Sequence, residues 1–179
     1  MKIKEVIIIM ATCFMYTSYS FGQSKTIEGL KHKIVVEKPI NWIQLPDEGP
    51  FYIIPDYEDA SGETYIKLIG NDYSKTPKLE EFIEELHENI KKNHSDIKME
   101  TFDLKIKNIK KDNFMTGNYK TYTYSYENGQ KLCMLFIECK KTIVQLVFSA
   151  NNEERFKKYF KSFEKMAKSI KVVAKKQTK

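Results

Sequence analysis

The chain has 179 residues, of which 30 are Lys or Arg and 24 are Asp or Glu, so its formal net charge is +6. Hydrophobic residues make up 41% and aromatic residues 13%, which is too apolar for an intrinsically disordered chain. Seven glycines and five prolines exclude a collagen-like or linker-like chain, and three cysteines are too few for a small disulfide-built fold. The length fits one domain of ordinary size.

The first 22 residues follow the order of a secretory signal peptide. Two lysines precede an uncharged stretch of eleven residues, Val6 to Tyr16, which is shorter than the ~20 apolar residues of a membrane-spanning helix. Small residues at Ser20 and Gly22 have the spacing that signal peptidase requires, so we predict cleavage between Gly22 and Gln23. The alternative is a buried N-terminal strand, because the isoleucine run is β-prone.

Lipidation at Cys13 is a second interpretation of this segment. It fits poorly, because bacterial lipoproteins usually have Leu well before the cysteine and Gly or Ala just before it, whereas Met10-Ala11-Thr12 stands here. We therefore expect a periplasmic or extracellular protein without a lipid anchor and without a transmembrane segment in the mature chain. Cleavage after Gly22 would leave 157 residues with a net charge of +5, because the segment removes two lysines and one glutamate.

The mature chain is predicted to be a single domain, and its first half contains three strands: Lys33–Val36, Phe51–Ile54 and Thr64–Ile69. A helix over about 77–93 follows, with Thr76 as N-cap and Pro77 at the first helical position. Its apolar residues recur at helical spacing and predict one buried stripe: Leu79, Phe82, Ile83, Leu86 and Ile90.

The second half begins with a strand over 99–107 and a bulge or turn near Asn108. Asn128-Gly129 then indicates a hairpin with a two-residue loop, which would place Tyr124 opposite Cys133. Lys140-Lys141 makes another reversal into a strand over 142–149. A last helix over about 152–170 is predicted to start with a capping box of Asn151 and Glu154, and a frayed tail to start at about residue 173.

This order of elements predicts the α+β class, with a mainly antiparallel central sheet and two principal helices. Alternate residues on the strand over 131–139 are apolar on both sides. Met134 and Phe136 point one way, and Leu135 and Ile137 point the other. We therefore predict that both faces of the sheet are covered, as in a three-layer α/β/α sandwich.

Motifs for chemistry are few. No glycine-rich loop or P-loop lysine is present for a nucleotide, and no serine lies in a nucleophile elbow. Glu84, His87 and His94 are spaced along one helix, but further metal ligands are lacking. Cys133 and Cys139 lie six residues apart on one strand, too far to pair with each other, and read as small buried hydrophobes. We therefore nominate no catalytic, cofactor-binding or metal-binding residue, and expect no cofactor.

Charged segments leave two alternatives open. Acidic residues cluster on a loop at Asp56, Glu58 and Asp59, and an acid pair assembled only by the fold would make the protein an envelope hydrolase. The lysines at 105, 107, 110 and 111, and the mixed segment 119–122, would support weak contact with an anionic surface. Nucleic acid is not expected as a partner, because an exported protein seldom meets it.

The C-terminal half resembles the PsbP-like and DcrB-like superfamily. The residues that carry the resemblance are Tyr126-Glu127-Asn128-Gly129, Leu146-Val147-Phe148-Ser149-Ala150, Phe156, Tyr159, Phe163, Met166 and Ser169-Ile170-Lys171. The resemblance covers about residues 33–172 and implies an α/β/α sandwich and a non-enzymatic accessory or binding protein. It also implies a protein partner, which we expect in the cell envelope and which the sequence does not identify.

Overall fold

The structure, a computed structural model, describes residues 22–45, 51–56 and 63–175. The predicted signal segment up to residue 21, with Cys13, and the acidic residues Glu58 and Asp59 lie outside this range. The elements in chain order are β1 (Gln23–Glu28), β2 (His32–Lys38), β3 (Trp42–Gln44), β4 (Tyr52–Pro55), β5 (Tyr65–Asp72), α1 (Leu79–Asn93), β6 (Lys98–Thr101), β7 (Met115–Ser125), β8 (Lys131–Cys139), β9 (Thr142–Ala150), α2 (Glu153–Ser169) and β10 (Lys171–Ala174).

The strands form two antiparallel sheets. A seven-stranded sheet has the order β3-β4-β5-β9-β8-β7-β6, and a three-stranded sheet has the order β1-β2-β10. Phe136 packs with residues of α1 on one face of the large sheet. Leu135 and Ile137 pack on the other face with α2 and with Ile34 of the small sheet. The predicted α+β class, with two helices and covered sheet faces, is confirmed, and the small sheet is an addition to it.

The start of α1 differs from the prediction. Thr76 and Pro77 precede the helix, whose N-cap residue is Lys78 and makes no side-chain capping bond. The backbone N–H of Leu79 instead donates to Oε2 of the buried Glu138 at 2.8 Å. A carboxylate at a helix N-terminus is favoured by the helix dipole. Glu138 on β8 therefore fixes the first residue of α1, and Thr76 is the wrong cap.

The start of α2 lies one residue later than predicted. Asn152, not Asn151, is the N-cap, and its Oδ1 accepts from the N–H of Arg155 at 2.9 Å. The third helical residue is therefore Arg155 and not Glu154, so the predicted capping box is wrong. The side-chain amide of Asn151 instead donates a hydrogen bond to the carboxylate of Glu63, which lies just before β5.

The hairpin between β7 and β8 has a three-residue loop instead of two. The N–H of Gly129 donates to the Tyr126 carbonyl at 3.0 Å, and the N–H of Tyr126 donates to the Gln130 carbonyl at 2.9 Å. Gly129 has a φ of 86°, the left-handed conformation that closes such a loop through a bulge. The register therefore shifts by one residue, and Tyr124 lies opposite Leu132 instead of Cys133.

The strand predicted over 99–107 ends early, because β6 stops at Thr101. Beyond that point the chain leaves the strand ladder, and the N–H of Ile106 donates to the Tyr119 hydroxyl at 3.4 Å. Leu104, Ile106 and Ile109 are buried in the core that contains α2. The turn predicted near Asn108 is confirmed at residues 107–108.

Three short strands were not predicted, namely β1, β3 and β10. Strand β10 pairs with β2, and Val173 and Ala174 lie opposite Lys33 and His32. The prediction that the tail frays from about residue 173 is therefore wrong up to Ala174, because backbone hydrogen bonds to β2 hold these residues. The last four residues lie outside the described range.

A buried polar cluster joins the two sheets. His32 of β2 is 2% exposed, and its Nδ1 lies 2.9 Å from Oδ1 of Asp72 on β5. The hydroxyl of Thr142 on β9 donates to the same oxygen at 2.6 Å, and the N–H of Lys31 donates to Oδ2 at 3.0 Å. The imidazole packs directly on Gly70, where any Cβ would clash with the ring. The cluster therefore fixes β2 against the C-terminal end of β5.

In the described part of the chain, neither helix is long and apolar enough to cross a lipid bilayer.

Candidate functional site

Gly22 and Gln23, the predicted signal cleavage site, lie where the described chain begins. Gln23 is the first residue of β1 and pairs with Lys38 at the end of β2. Cleavage between Gly22 and Gln23 would therefore leave the whole of β1 in the mature protein. The cleavage itself stays a prediction.

The helical residues considered as metal ligands face different surroundings. His87 shares a hydrogen bond of 2.9 Å with the hydroxyl of Tyr124 and is turned toward the sheet. Burial, and then the nearby Lys91, lower the pKa of His87. Glu84 is exposed, and His94 lies beyond the helix end with its ring edge-on to Tyr126 at 4.9 Å. Within the described ranges, no group of three or more His, Cys, Asp or Glu side chains is arranged to hold a metal ion.

The other residues that the sequence singled out are also dispersed. Asp56 follows β4, whereas its two acidic neighbours lie outside the described chain. Lys105, Lys107, Lys110 and Lys111 are exposed on the irregular segment between β6 and β7. Cys133 and Cys139 are free and fully buried. Those of these residues that the structure describes are therefore not brought together into one site.

A polar groove lies between the end of α1 and the β7–β8 loop, and we call it the hairpin groove. It is open to solvent, and its volume is about 490 Å³. The residues that line it are Asn93, His94, Ser95, Asp96, Ile97, Tyr126, Glu127, Asn128 and Gln130. No single motif in the sequence indicates this groove, because its two walls are some thirty residues apart in the chain.

Hydrogen bonds within the local turns hold both walls of the hairpin groove. On the helix side, the N–H of His94 donates to Ile90 at 2.9 Å, and the N–H of Ile97 donates to His94 at 3.3 Å. On the hairpin side, Oδ1 of Asn128 accepts from the N–H of Gln130 at 3.0 Å. The groove is therefore formed by ordered turns, which is the usual condition for a pre-formed binding site.

A second depression of about 390 Å³ continues the hairpin groove along the sheet edge. It shares Asn128 and Gln130 with the first and adds Glu63, Tyr65 and Asn151. The amide of Gln130 donates to the hydroxyl of Ser149 at 3.2 Å, which fixes the side chain that both depressions share. Together the two depressions form an extended polar surface at one end of the large sheet.

Tyrosine rings give this surface its apolar area. Tyr65 stacks on Tyr52 with ring centroids 4.8 Å apart. Tyr126 is half-buried, and burial, followed by the proximity of Tyr65, raises the pKa of its hydroxyl. The phenol therefore keeps its proton at neutral pH and acts as a hydrogen-bond donor as well as an acceptor.

Comparison with known proteins bears on the fold. No family model matches the sequence, and no curated protein matches it. Among solved structures, the chain is similar to the solution structure of cyanobacterial PsbP (CyanoP) from Synechocystis sp. PCC 6803, with a TM-score of 0.55 and 12% sequence identity. The similarity covers 88% of this chain and 96% of that one. The DcrB-like half of the resemblance stays a prediction, and the chain has a PsbP-like fold.

Proposed function

We propose that this protein is an exported, non-catalytic binding protein that holds a saccharide in the hairpin groove. The observation that carries the proposal is the composition of the groove wall. Three neutral amides, a serine hydroxyl, a histidine, two carboxylates and a tyrosine line about 490 Å³ of open space. Sugar hydroxyls both donate and accept hydrogen bonds. Side-chain amides offer a donor and an acceptor, and carboxylates offer two acceptors.

Other ligand classes fit this wall less well. An apolar ligand would leave the amides and carboxylates without hydrogen-bond partners, which is costly once water is displaced. An anionic ligand would be repelled by Asp96 and Glu127. The ring of Tyr126 supplies apolar area for the C–H face of a sugar.

The N-terminal residues support the exported part of the proposal. Their charged, apolar and small segments have the order of a signal peptide, and an exported protein meets the polysaccharides of the cell surface. Sequencing the N-terminus of the protein isolated from its host tests this part. We expect the mature chain to begin at Gln23, and an N-terminus that still reads Met1 would refute export by this signal.

Two observations support a non-catalytic role. Burial raises the pKa of the Cys133 thiol, and burial followed by the nearby carboxylates Asp112 and Glu138 raises that of Cys139 to about 12, so neither offers a thiolate nucleophile. The imidazole of His87 is engaged with the hydroxyl of Tyr124. An accessory role beside a protein partner of the envelope is compatible with saccharide binding and stays a prediction.

One observation favours a second candidate, an envelope glycoside hydrolase. Asp96 and Glu127 stand on opposite walls of the same groove, and glycoside hydrolases use two carboxyl groups that flank the bond to be cleaved. If the groove hydrolysed its ligand, Asp96→Asn would abolish turnover and leave binding largely intact. If the groove binds its ligand without cleaving it, neither the unmodified protein nor Asp96→Asn will release product.

The experiment screens the purified protein on an oligosaccharide array and then measures the affinity for the best ligand by calorimetry. Tyr126→Ala and Gln130→Ala are each expected to weaken binding about tenfold, because a stacking ring or a fixed amide is lost. Asn89→Ala, which lies on α1 outside the groove, is the control and should bind as the unmodified protein does. Failure to bind any oligosaccharide, or equal loss in the Asn89 control, would contradict the proposal.

A further inference from the structure

Leu30 is the most exposed large hydrophobic residue of the described chain, with 85% of its surface in contact with solvent. It lies with Lys31 in the two-residue loop between β1 and β2, because Gly29 and His32 close that loop with a 2.9 Å backbone hydrogen bond. This loop is at the opposite end of β8 from the hairpin groove. The leucine is therefore a feature separate from the proposed saccharide site.

The loop that bears Leu30 is held on several sides. The N–H of Lys31 donates to Asp72 at 3.0 Å, and its Nζ donates to the Tyr73 carbonyl at 2.6 Å. The carbonyl of Lys31 accepts from the N–H of Lys175 at 2.9 Å. These bonds reach β5 and the end of β10, so the loop is fixed to both sheets. Leu30 is therefore exposed on a loop that several hydrogen bonds hold in place.

Lysines surround the base of this loop. A depression of about 350 Å³, which we call the lysine groove, lies beside it. The residues that line it are Lys31, Asn113, Phe114, Lys140, Lys141, Ala174 and Lys175. Lys140 and Lys141 form the exposed β8–β9 turn, and neither has an ion pair with a described residue.

The acids near the lysine groove do not cancel its charge. The exposed Asp112 precedes the lining residue Asn113, and its Oδ1 accepts from the N–H groups of Phe114 and Met115, both at 2.6 Å. Glu28 is bonded to Lys175 at 3.0 Å and to Lys33 at 2.8 Å, so one carboxylate serves two lysines. Asp72 lies beneath the loop, is 13% exposed, and forms hydrogen bonds with His32, Thr142 and the Lys31 backbone. Lys140 and Lys141 therefore leave this end of the molecule with a surplus of positive charge.

We propose that this end docks on an anionic lipid bilayer, with Leu30 inserted among the acyl chains and the lysines at the phosphate level. An acidic protein surface would attract the lysines, but it would gain little from a single leucine that stands clear of the fold. A bilayer takes up such a residue without a shaped pocket, and lysines beside it are attracted to anionic headgroups. The proposal is independent of the saccharide groove.

The first experiment measures binding of the protein, in the form recovered from its host, to vesicles of phosphatidylcholine with and without phosphatidylglycerol. Binding is expected only with the anionic lipid and should weaken as salt increases. Lys140→Gln with Lys141→Gln should lower the partition coefficient at least tenfold, since each lysine contributes several-fold. The matched control is Lys91→Gln with Lys92→Gln, a consecutive pair in the last turn of α1. Its partition coefficient for anionic vesicles should stay close to that of the unmodified protein.

The second experiment tests insertion. Leu30→Ser should lower the partition coefficient about tenfold, because the apolar side chain is lost. Leu30→Trp should be quenched by brominated acyl chains in anionic vesicles, while the native Trp42 is buried and gives a constant background. Ile40→Trp is the control, because Ile40 is 45% exposed and lies beyond the other end of β2.

Each of three binding results would overturn the proposal: binding that does not depend on phosphatidylglycerol, equal losses in the two lysine pairs, or a Leu30→Ser variant that binds as the unmodified protein does. The last result, with lysine dependence retained, would indicate attraction to a polyanion without insertion. Quenching of Ile40→Trp instead of Leu30→Trp would place a different end of the molecule on the bilayer.

Discussion

The carboxylate of Asp72 lies at the centre of a polar cluster that joins the two sheets, and its side chain is 13% exposed. Asp72→Ala would leave the Thr142 hydroxyl, the Lys31 N–H and the His32 imidazole without their shared acceptor. We expect the free energy of unfolding to fall by about 3 kcal/mol, as when one partner of a buried pair is removed. Urea unfolding measures the change. Asp103→Ala, at an exposed site, is the control and should stay within about 0.5 kcal/mol of the unmodified protein.

The same carboxylate makes a defined contribution to the pH dependence of stability. Burial acts to raise the pKa of Asp72, but the hydrogen bonds from Thr142, His32 and the Lys31 N–H outweigh it and leave the pKa below the usual 3.8. A carboxyl whose pKa is lowered by folding stabilises the protein above its unfolded pKa and loses that effect as the pH falls through its folded pKa. The difference in unfolding free energy between the protein and Asp72→Asn should therefore shrink below about pH 4. A difference that grew in that range would contradict the lowered pKa.

At the scale of the elements, Glu138 decides where α1 begins. Its Oε2 accepts from the N–H of Leu79 at 2.8 Å, and its Oε1 accepts from the amide of Asn118 at 3.0 Å. Glu138→Ala is expected to lower the free energy of unfolding by about 2 kcal/mol, the usual worth of a hydrogen bond to a charged group. Hydrogen exchange should also become faster in the first turn of α1.

Thr76→Ala is the control for this substitution, because the sequence pattern assigns the cap to Thr76. It is expected to change the free energy of unfolding by less than about 0.5 kcal/mol, as is usual for an exposed residue. If Thr76→Ala lowered the free energy of unfolding as much as Glu138→Ala does, Thr76 would be the capping residue after all.

The sequence patterns predicted both helices and the strands β7, β8 and β9, which are each nine residues or longer and contain several buried residues. They also predicted the shorter strands β2, β4 and β5, each of which buries at least two residues. Strands β1 and β10 were missed because each buries a single residue, Ile27 and Val172 respectively. Their pairing with β2 depends on contacts that a local pattern does not contain.

The exact ends of the elements and the hairpin groove could not be predicted from the sequence, because they also depend on contacts between residues distant in the chain. The cap of α1 comes from Glu138, 59 residues away in the chain. The register of β7 against β8 depends on whether Gly129 closes a loop of two or three residues, and both choices use Asn-Gly. The hairpin groove joins Ser95 and Asp96 to Gln130 only because α1 packs across the sheet. In each case a contact distant in sequence decides the local structure.

At the scale of the whole molecule, the thiols report on global stability. Cys133 and Cys139 are both fully buried and their pKa values are raised, so a thiol reagent reaches them only when the fold opens. We expect native protein to react slowly with a disulfide reagent, and the rate to increase with denaturant along the global unfolding transition. Asp103→Cys, an exposed control, should react at the rate of a free thiol. Rapid labelling of Cys133 or Cys139 in buffer would show that part of the core opens locally.

The two proposed sites lie at opposite ends of the large sheet. Strand β8 runs from Lys131, next to the hairpin groove, to Cys139, next to the lysine groove, and its nine residues span about 30 Å at ~3.3 Å each. The Debye length at physiological ionic strength is about 8 Å, so charge at one end is screened from the other. A molecule docked through Leu30 would therefore present the hairpin groove to the solvent.

This geometry predicts that the two binding events are independent. Addition of anionic vesicles should change the affinity for the oligosaccharide by less than about twofold, and saturating oligosaccharide should leave the vesicle partition coefficient equally unaffected. Calorimetry in the presence of vesicles measures the first quantity, and sedimentation measures the second. Tyr126→Ala should bind vesicles normally, and the Lys140 and Lys141 double variant should bind oligosaccharide normally. A reciprocal change in both affinities would contradict independent ends, and would require the sheet or α1 to change conformation when either end is occupied.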